Sequence, residues 1–380
     1  MTTRSSRSVS AVALLGDYPS TGLLGAHQAE RFPMTGRDKG EQADAFIDFA
    51  RANLEQGRKV TALYAKWNAE TAERVIAFAR GALLTDEIGQ IALDISPLAL
   101  SLVADQLSYM APYLPSGVTA ALAEELCGHV LAGAWLKRVN NLATIPITFK
   151  QHLGSYIPRT TFLAFNAPVK RVGRVKKRDP RPNLPNRPMD PVQVLVCRPD
   201  GHSLDEFNEQ LTPALKAVSL NALPEQPLGP KYWGVRKYIE FVVFSAHPQA
   251  LTSTPRAIRP STCTWCRELV AGLLCPYCGG VNQPPVGRPP TRTADVPAPP
   301  TKSTGEHIRP AWVGAGRQGG PTGPQQPPQR GAAPQPPQGG RPGPPGGGHP
   351  SGPQAPVRPP GRPPNAAAPP HTSPTGPSST

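Results

Sequence analysis

The chain of 380 residues has few aromatic side chains, 6% in all, and only six cysteines. No stretch of apolar residues approaches the roughly 20 that a membrane-spanning helix needs. Near the start, the apolar run from Ala11 to Leu15 is too short for the core of a signal peptide. We therefore expect a soluble protein inside the cell, in the cytoplasm or nucleus.

Motifs of common enzyme classes are also missing. The sequence has no phosphate-binding Gly-x4-Gly-Lys-Ser/Thr loop, no His-Glu-x-x-His and no Gly-x-Ser-x-Gly. A Gly-x-Gly-x-x-Gly pattern at 314–319 follows no predicted strand and opens no predicted helix. Cys127 and His129 lie two residues apart on a predicted helix, where their side chains point in different directions. We predict that the protein is not an enzyme.

Proline, glycine and positive charge are abundant instead. The chain contains 51 prolines and 36 glycines, and its formal net charge is +14. A surplus of this size favours anionic partners, nucleic acid first and then acidic lipid or protein.

The sequence predicts an α+β protein built from units of different composition. Apolar residues recur at intervals of three and four in the first third of the chain and indicate an N-terminal helical bundle. Later β-branched runs, of which Val192–Val196 is predicted to be a strand, and a capping box indicate a small α+β unit. The end of the chain is too poor in apolar residues to offset the entropy of ordering. The predicted units are a flexible arm (1–37), a helical domain (38–143), an α+β domain (144–250) with a basic loop (170–188), a zinc ribbon (261–282) and a disordered, basic Pro/Gly-rich tail (283–380).

Four of the six cysteines form two Cys-x2-Cys pairs, Cys263–Cys266 and Cys275–Cys278. This spacing is typical of tetrahedral Zn²⁺ sites, because each pair closes a tight turn that directs two thiolates at one point. Four sulfur ligands leave no open position for water, which points to a structural metal. The alternative is four free or disulfide-paired cysteines.

The pattern Cys-x2-Cys-x8-Cys-Pro-Tyr-Cys-Gly resembles a short zinc ribbon of the double-zinc-ribbon type. The resemblance covers only residues 261–282, and a second such unit is missing. It implies that Zn²⁺ is the cofactor and that Cys263, Cys266, Cys275 and Cys278 bind it.

A basic segment at 170–181 carries seven cations among twelve residues. Cations of this kind neutralise phosphates without reading a base sequence. The alternatives are a nuclear localisation signal and a solvated linker. On the ribbon, Arg267 directly follows Cys266 and is a further candidate contact with phosphate. The aromatic residues Trp265 and Tyr277 suit either base stacking or a small core. The predicted nucleic-acid-binding residues are Lys170, Arg171, Arg174, Lys176, Lys177, Arg178, Arg181 and Arg267.

Two functions fit these features. The first is a non-enzymatic, structural or accessory nucleic-acid-binding protein, with RNA preferred over DNA. The order of its units is broadly similar to that of viral nucleocapsid or Gag-like proteins, which implies RNA coating, self-association and presence in a virion. The second is a protein-interaction adaptor whose tail recruits SH3 or WW domains, because two stretches, 297–302 and 353–358, match SH3-type ligands.

Overall fold

The computed structural model describes residues 9–35, 39–157, 160–175, 182–199 and 203–282. All of them belong to one compact unit, Met1–Ala298. The prediction of a disordered tail at 283–380 lies outside the described residues. Among the helices described, none is both long and apolar enough to cross a membrane.

The described ranges contain alternating helices and strands. The strands are β1 (Ser10–Leu15), β2 (Glu30–Phe32), β3 (Lys59–Ala65), β4 (Ile88–Leu93), β5 (Leu131–Leu136), β6 (Thr161–Ala167), β7 (Arg171–Val175), β8 (Val192–Cys197), β9 (Ala217–Leu223), β10 (Tyr238–Ser245), β11 (Ser261–Thr262) and β12 (Leu269–Val270). The α-helices are α1 (Lys39–Glu55), α2 (Glu70–Leu83), α3 (Pro97–Met110), α4 (Ser116–His129), α5 (Phe149–Gly154), α6 (Asp205–Leu215), α7 (Gly229–Trp233) and α8 (Pro248–Ser253).

The first sheet, called here the parallel sheet, has the strand order β2-β1-β3-β4 with every pair parallel. Helices α1 and α2 cover one face through Phe46 and Ile76, which pack with Ala62 of β3. Helices α3 and α4 cover the other face through Leu102 and Leu122. Because both faces are buried, β1 and β3 are largely apolar along their length.

The second sheet, the mixed sheet, has the order β7-β6-β5-β10-β8-β9, in which only β8 and β9 are parallel. Val242 and Phe244 of β10 pack in the same core as α3 and α4. Phe207 and Leu211 of α6 pack on the opposite face against Phe241. Helices α3 and α4 therefore lie between the two sheets.

The predicted α+β class with an N-terminal helical bundle is wrong. The chain is an α/β fold, and its first 37 residues, predicted as a flexible arm, contain β1 and β2. Within the predicted helical domain (38–143), α4 ends at His129, and Leu131–Leu136 forms β5. A short apolar strand buried on both faces has no polar alternation, so its periodicity cannot be distinguished from that of a buried helix.

Candidate metal centre

The four cysteines of the ribbon converge on one point. Their Sγ atoms all lie within 4.8 Å of one another. The Sγ–Sγ distance is 3.7 Å between Cys263 and Cys278 and 3.5 Å between Cys266 and Cys275. Tetrahedral zinc with Zn–S bonds of about 2.3 Å places its sulfurs roughly 3.8 Å apart. The cluster therefore has the dimensions of a four-thiolate zinc site.

Both Cys-x2-Cys turns have the same backbone geometry. Arg267 N donates to Cys263 O at 3.1 Å, and Gly279 N donates to Cys275 O at 2.9 Å. Arg267 and Gly279 follow the second cysteine of each turn, and both have positive φ, +66° and +71°. Glycine adopts this conformation at little cost, whereas arginine does so only when the surrounding structure requires it.

Further backbone hydrogen bonds fix the thiols in place. Cys263 N donates to Glu268 O at 2.7 Å, and Cys275 N donates to Gly280 O at 2.9 Å. Burial raises the pKa of Cys266 and of Cys275. At Cys263 burial acts in the same direction, but the N–H groups of Cys266 and Trp265 and the thiol of Cys278 lower its pKa to about 6. The donors directed at Cys263 favour its thiolate, the form that binds a metal.

Tyr277, inside the second turn, attaches the ribbon to the parallel sheet. Its ring is buried, and its hydroxyl lies 3.4 Å from Ser10 Oγ and 3.2 Å from Thr61 Oγ1. A Cβ built on Gly89 of β4 would lie 2.9 Å from this ring, so the sheet needs glycine there. Trp265, in the first turn, is 80% exposed. Tyr277 is therefore a core residue, whereas Trp265 lies on the surface.

An ion pair holds the other side of the ribbon. Lys59 Nζ lies 2.9 Å from Glu268 Oε2 and 5.2 Å from the centre of the Tyr277 ring. Burial lowers the pKa of Lys59, but the hydrogen bond and charge of Glu268, with Glu87, raise it overall. The second Glu268 oxygen accepts from Gly117 N of α4 at 3.3 Å.

The backbone of the second turn also contacts β4. Pro276 O accepts from Gln90 N at 3.0 Å and from Arg80 Nη2 at 3.0 Å. The ribbon is thus connected to β1, β3, β4, α2 and α4 through side chains that sequence reasoning did not identify. The only sequence signal was the position of Pro276 and Tyr277 between two candidate ligands.

Two of the predicted nucleic-acid residues that the structure describes, Lys170 and Arg171, are engaged by other groups of the protein. Lys170 Nζ contacts Asp94 Oδ2 at 2.7 Å and Thr144 O at 3.0 Å. Arg171 donates to Asn183 O, and its guanidinium lies 5.5 Å from the centre of the Phe165 ring.

The remaining predicted residues are separated from one another. Arg174 Nη2 donates to Thr160 Oγ1 at 3.2 Å. Arg267 is exposed on the ribbon and is not part of β7. The other four candidates, Lys176, Lys177, Arg178 and Arg181, lie outside the described residues.

No family model and no curated protein matches this sequence. Several solved structures match at low similarity. The DegV family protein Cg2579 from Corynebacterium glutamicum is 13% identical, with a TM-score of 0.43, over 63% of this chain and 99% of that one. A DegV family protein from Thermus thermophilus, described with fatty acid binding, is 11% identical with a TM-score of 0.44, over 62% and 99%. DegV from Bacillus subtilis, a fatty acid binding protein, is 11% identical with a TM-score of 0.42, over 63% and 100%.

These comparisons contradict the predicted function and partners. The structures from Thermus thermophilus and Bacillus subtilis are described with fatty acid binding, and none of the three is described as an RNA-binding coat protein or as a partner of SH3 or WW domains. Within this chain, Lys170 is engaged by Asp94 and Arg171 by Asn183. A TM-score below 0.5 does not establish a shared fold, so fatty acid binding is stated of those proteins alone.

Proposed function

We propose that this chain is a zinc protein in which the metal has a structural, non-catalytic role. The observation that carries the proposal is the convergence of four thiols, all within 4.8 Å of one another, from two turns of matching backbone geometry. Cys263, Cys266, Cys275 and Cys278 would hold the ion. Thiolate ligands of this kind require a reducing environment, which agrees with a location inside the cell.

The ligand set supports a structural role. Four protein sulfurs complete a tetrahedral shell, and no position is left for a water or a substrate. Cys263 and Cys275 are buried, and Gly280 N approaches Cys278 Sγ at 3.4 Å. A buried, hydrogen-bonded and closed shell is suited to holding two turns together.

The metal would act by keeping the ribbon docked. Two side chains anchor the ribbon to the body. Tyr277 directly precedes Cys278, and Glu268 lies two residues after Cys266. Closing the two turns around zinc orients Tyr277 towards the parallel sheet and Glu268 towards Lys59. We infer that zinc binding orders the ribbon so that it can dock on the parallel sheet.

Metal analysis of the full chain tests the proposal. We expect one zinc per chain by inductively coupled plasma mass spectrometry after dialysis against metal-free buffer. Cobalt exchanged into the protein should give the intense visible bands of tetrahedral thiolate cobalt. The double variant Cys275→Ser/Cys278→Ser should lose both signals.

The matched control is Cys127→Ser, because this thiol lies on α4 and bonds to Ala123 O at 3.3 Å, away from the cluster. It should keep full zinc stoichiometry and the cobalt spectrum. Wild-type protein that contains no zinc when purified under reducing conditions, and that takes up neither zinc nor cobalt, would refute the proposal.

A further inference from the structure

A groove runs along the free edge of β4, the last strand of the parallel sheet. It consists of two cavities of about 610 and 430 Å³ that share Ala92 and Glu124 as lining residues. Helix α4 forms one wall, where Ala120 and Ala121 present small side chains. Leu274 and Pro276 of the ribbon close one end, and Asn166 and Lys170 lie at the other.

The register of the sheet shows which backbone groups face this groove. Val60 pairs with Ile88, and Val60 N donates to Glu87 O at 3.1 Å, so β3 bonds to the odd-numbered residues of β4. The even-numbered residues therefore direct their N–H and C=O groups away from β3.

Two of these outward groups already have partners. Ile88 O accepts from Arg80 Nε at 2.8 Å, and Gln90 N donates to Pro276 O at 3.0 Å. Gln90 O and both backbone groups of Ala92 have no hydrogen-bond partner within the described ranges. The contact with Pro276 is thus the first bond of an added strand, and the next three groups remain available.

The far end of the groove contains a buried polar side chain with only weak internal contacts. Asn166 is 4% exposed, neither atom of its amide makes a full hydrogen bond among the described residues, and the hydroxyl of Tyr232 is its weak partner. An amide offers both a donor and an acceptor, as a peptide backbone does. Buried polar groups without full hydrogen bonds carry a cost, which a bound chain would relieve.

Charge in the groove is polarised along its length. Arg80 and Lys170 are engaged by carbonyl oxygens and Asp94, and Glu125 pairs with His129. Two exposed groups of the groove have no ion pair among the described residues: Lys66 at the far end and the carboxylate of Glu124, which both cavities share. Glu124 is the free charge on the α4 wall and favours a cation opposite it.

We propose that this groove binds an extended peptide as an additional strand on β4, with a Lys or Arg side chain opposite Glu124. The peptide's N–H and C=O groups bond to Gln90 and Ala92, as in other peptide complexes formed by strand addition. The peptide residues on either side of this Lys or Arg are small or β-branched, and they lie over Ala120 and Ala121. Because the ribbon forms one end of the groove, the proposal rests in part on the proposed zinc site.

Fluorescence anisotropy with two labelled peptides tests this site in the full chain. The probes are acetyl-Thr-Val-Lys-Val-Thr-amide and the same peptide with Glu in place of Lys, both carrying fluorescein. We expect the Lys peptide to bind about ten-fold more tightly, since one charge-assisted contact accounts for such a factor. Equal binding of the two peptides, or no binding by zinc-loaded wild-type protein, would overturn the proposal.

Three variants locate the contact. Ala92→Pro removes an outward N–H without removing a bond to β3, and we expect about a ten-fold loss of affinity. Ala121→Phe fills the groove from α4 and should cause a similar loss even if Ala92→Pro folds poorly. Glu124→Lys should reverse the preference of the protein to the Glu peptide.

The matched charge control is Glu55→Lys, at an exposed position at the end of α1. It should leave both affinities unchanged, and full binding by folded Ala92→Pro and Ala121→Phe would refute the site. Zinc measured on the same samples separates the two proposals. A zinc-free protein that still selects the Lys peptide supports the groove and refutes the zinc site, whereas a zinc-loaded protein that selects neither peptide refutes the groove alone.

Discussion

The ribbon and the two-sheet body are stabilised in different ways. The body has several clusters of buried apolar side chains on both faces of its sheets. The ribbon contributes only four side chains to the buried apolar clusters, Cys263, Val270, Cys275 and Tyr277, and these belong to a core shared with the body. A segment of this size cannot form its own core, so it depends on a metal and on docking.

The same contrast applies to two buried glutamates. Glu268 of the ribbon pairs with Lys59 at 2.9 Å. Glu240 of the body is fully buried; one carboxylate oxygen accepts from Leu98 N at 2.9 Å, and no cation pairs with it among the described residues. Burial raises the pKa of Glu240 to about 7, although hydrogen bonds from Leu98 N and from the side chains of Ser96 and Trp233 oppose this shift. The ribbon therefore contributes a compensated charge, whereas the body contains an uncompensated one.

Loss of two zinc ligands is expected to have the largest effect, because it should unfold the ribbon and leave the two-sheet body folded. Cys275→Ser/Cys278→Ser should unfold the ribbon, because apparent zinc-binding free energies of structural sites reach about 10–16 kcal/mol. We expect hydrogen exchange to show lost protection at 261–282 while both sheets stay protected. Cys127→Ser should keep the wild-type pattern. Simultaneous loss of protection in the sheets would mean that the body cannot fold without the ribbon.

Two substitutions of Tyr277 separate the contribution of ring packing from that of the hydroxyl contacts to the attachment of the ribbon. Tyr277→Ala leaves a cavity against Gly89, and we expect a loss of about 3–5 kcal/mol in the free energy of unfolding by urea titration. Tyr277→Phe removes only the contacts with Ser10 and Thr61 and should cost about 1 kcal/mol. Zinc content should be unchanged in both. If the two variants lose equal stability, the hydroxyl contacts rather than packing of the ring attach the ribbon.

The uncompensated glutamate predicts a pH dependence that belongs to the body. The pKa of Glu240 is raised from 4.5 in the unfolded chain to about 7 in the folded protein. Protonation of Glu240 therefore favours the folded protein, and this contribution to stability is complete at pH values below 4.5. That contribution is lost as the pH rises through about 7, and the difference amounts to about 3 kcal/mol.

Urea titrations between about pH 5 and pH 8 measure this slope. Glu240→Gln, which keeps the shape and remains neutral, should abolish the part of the slope due to this residue. An identical slope in wild type and variant would show that Glu240 does not titrate in this range.

The smallest predicted effect lies at the contact of α4 with the ribbon. A Cβ at Gly117 would lie 1.6 Å from Leu269 O, whereas a Cβ at Gly128 of the same helix meets nothing within 4 Å. Gly117→Ala should therefore displace β12 and cost about 1–3 kcal/mol. Gly128→Ala should be neutral or slightly stabilising, because alanine favours a helix. Thermal unfolding of the two variants compares them, and equal melting temperatures would contradict this close contact.

Part of the candidate site was predictable from the sequence because it is local. Each Cys-x2-Cys turn is closed by bonds within its own few residues, such as Gly279 N to Cys275 O. The grouping of four cysteines was therefore visible without any knowledge of the rest of the chain. The sequence alone also identified Val192–Val196 as a strand, because β-branched residues are concentrated there, and this stretch lies within β8.

Other features depended on contacts between distant residues and could not be predicted. Apolar runs such as that of β5 fit a buried helix as well as a strand, and only pairing with β6 and β10 distinguishes them. The sequence predicted a phosphate-binding basic segment, and it could not show that Lys170 lies beside Asp94, 76 residues away. Long-range partners decide whether a charge is free, and the sequence shows only that the charge exists.

The sequence by itself determined the candidate ligands of a metal, since their geometry follows from two short turns. Only the tertiary structure determined what the ribbon does. It brings Ser10, Lys59, Gly89, Gly117 and Tyr277 together from four separate secondary-structure elements and the ribbon. The physical reason is that docking depends on complementary surfaces and buried polar partners, which arise only once the parallel sheet and α4 have packed.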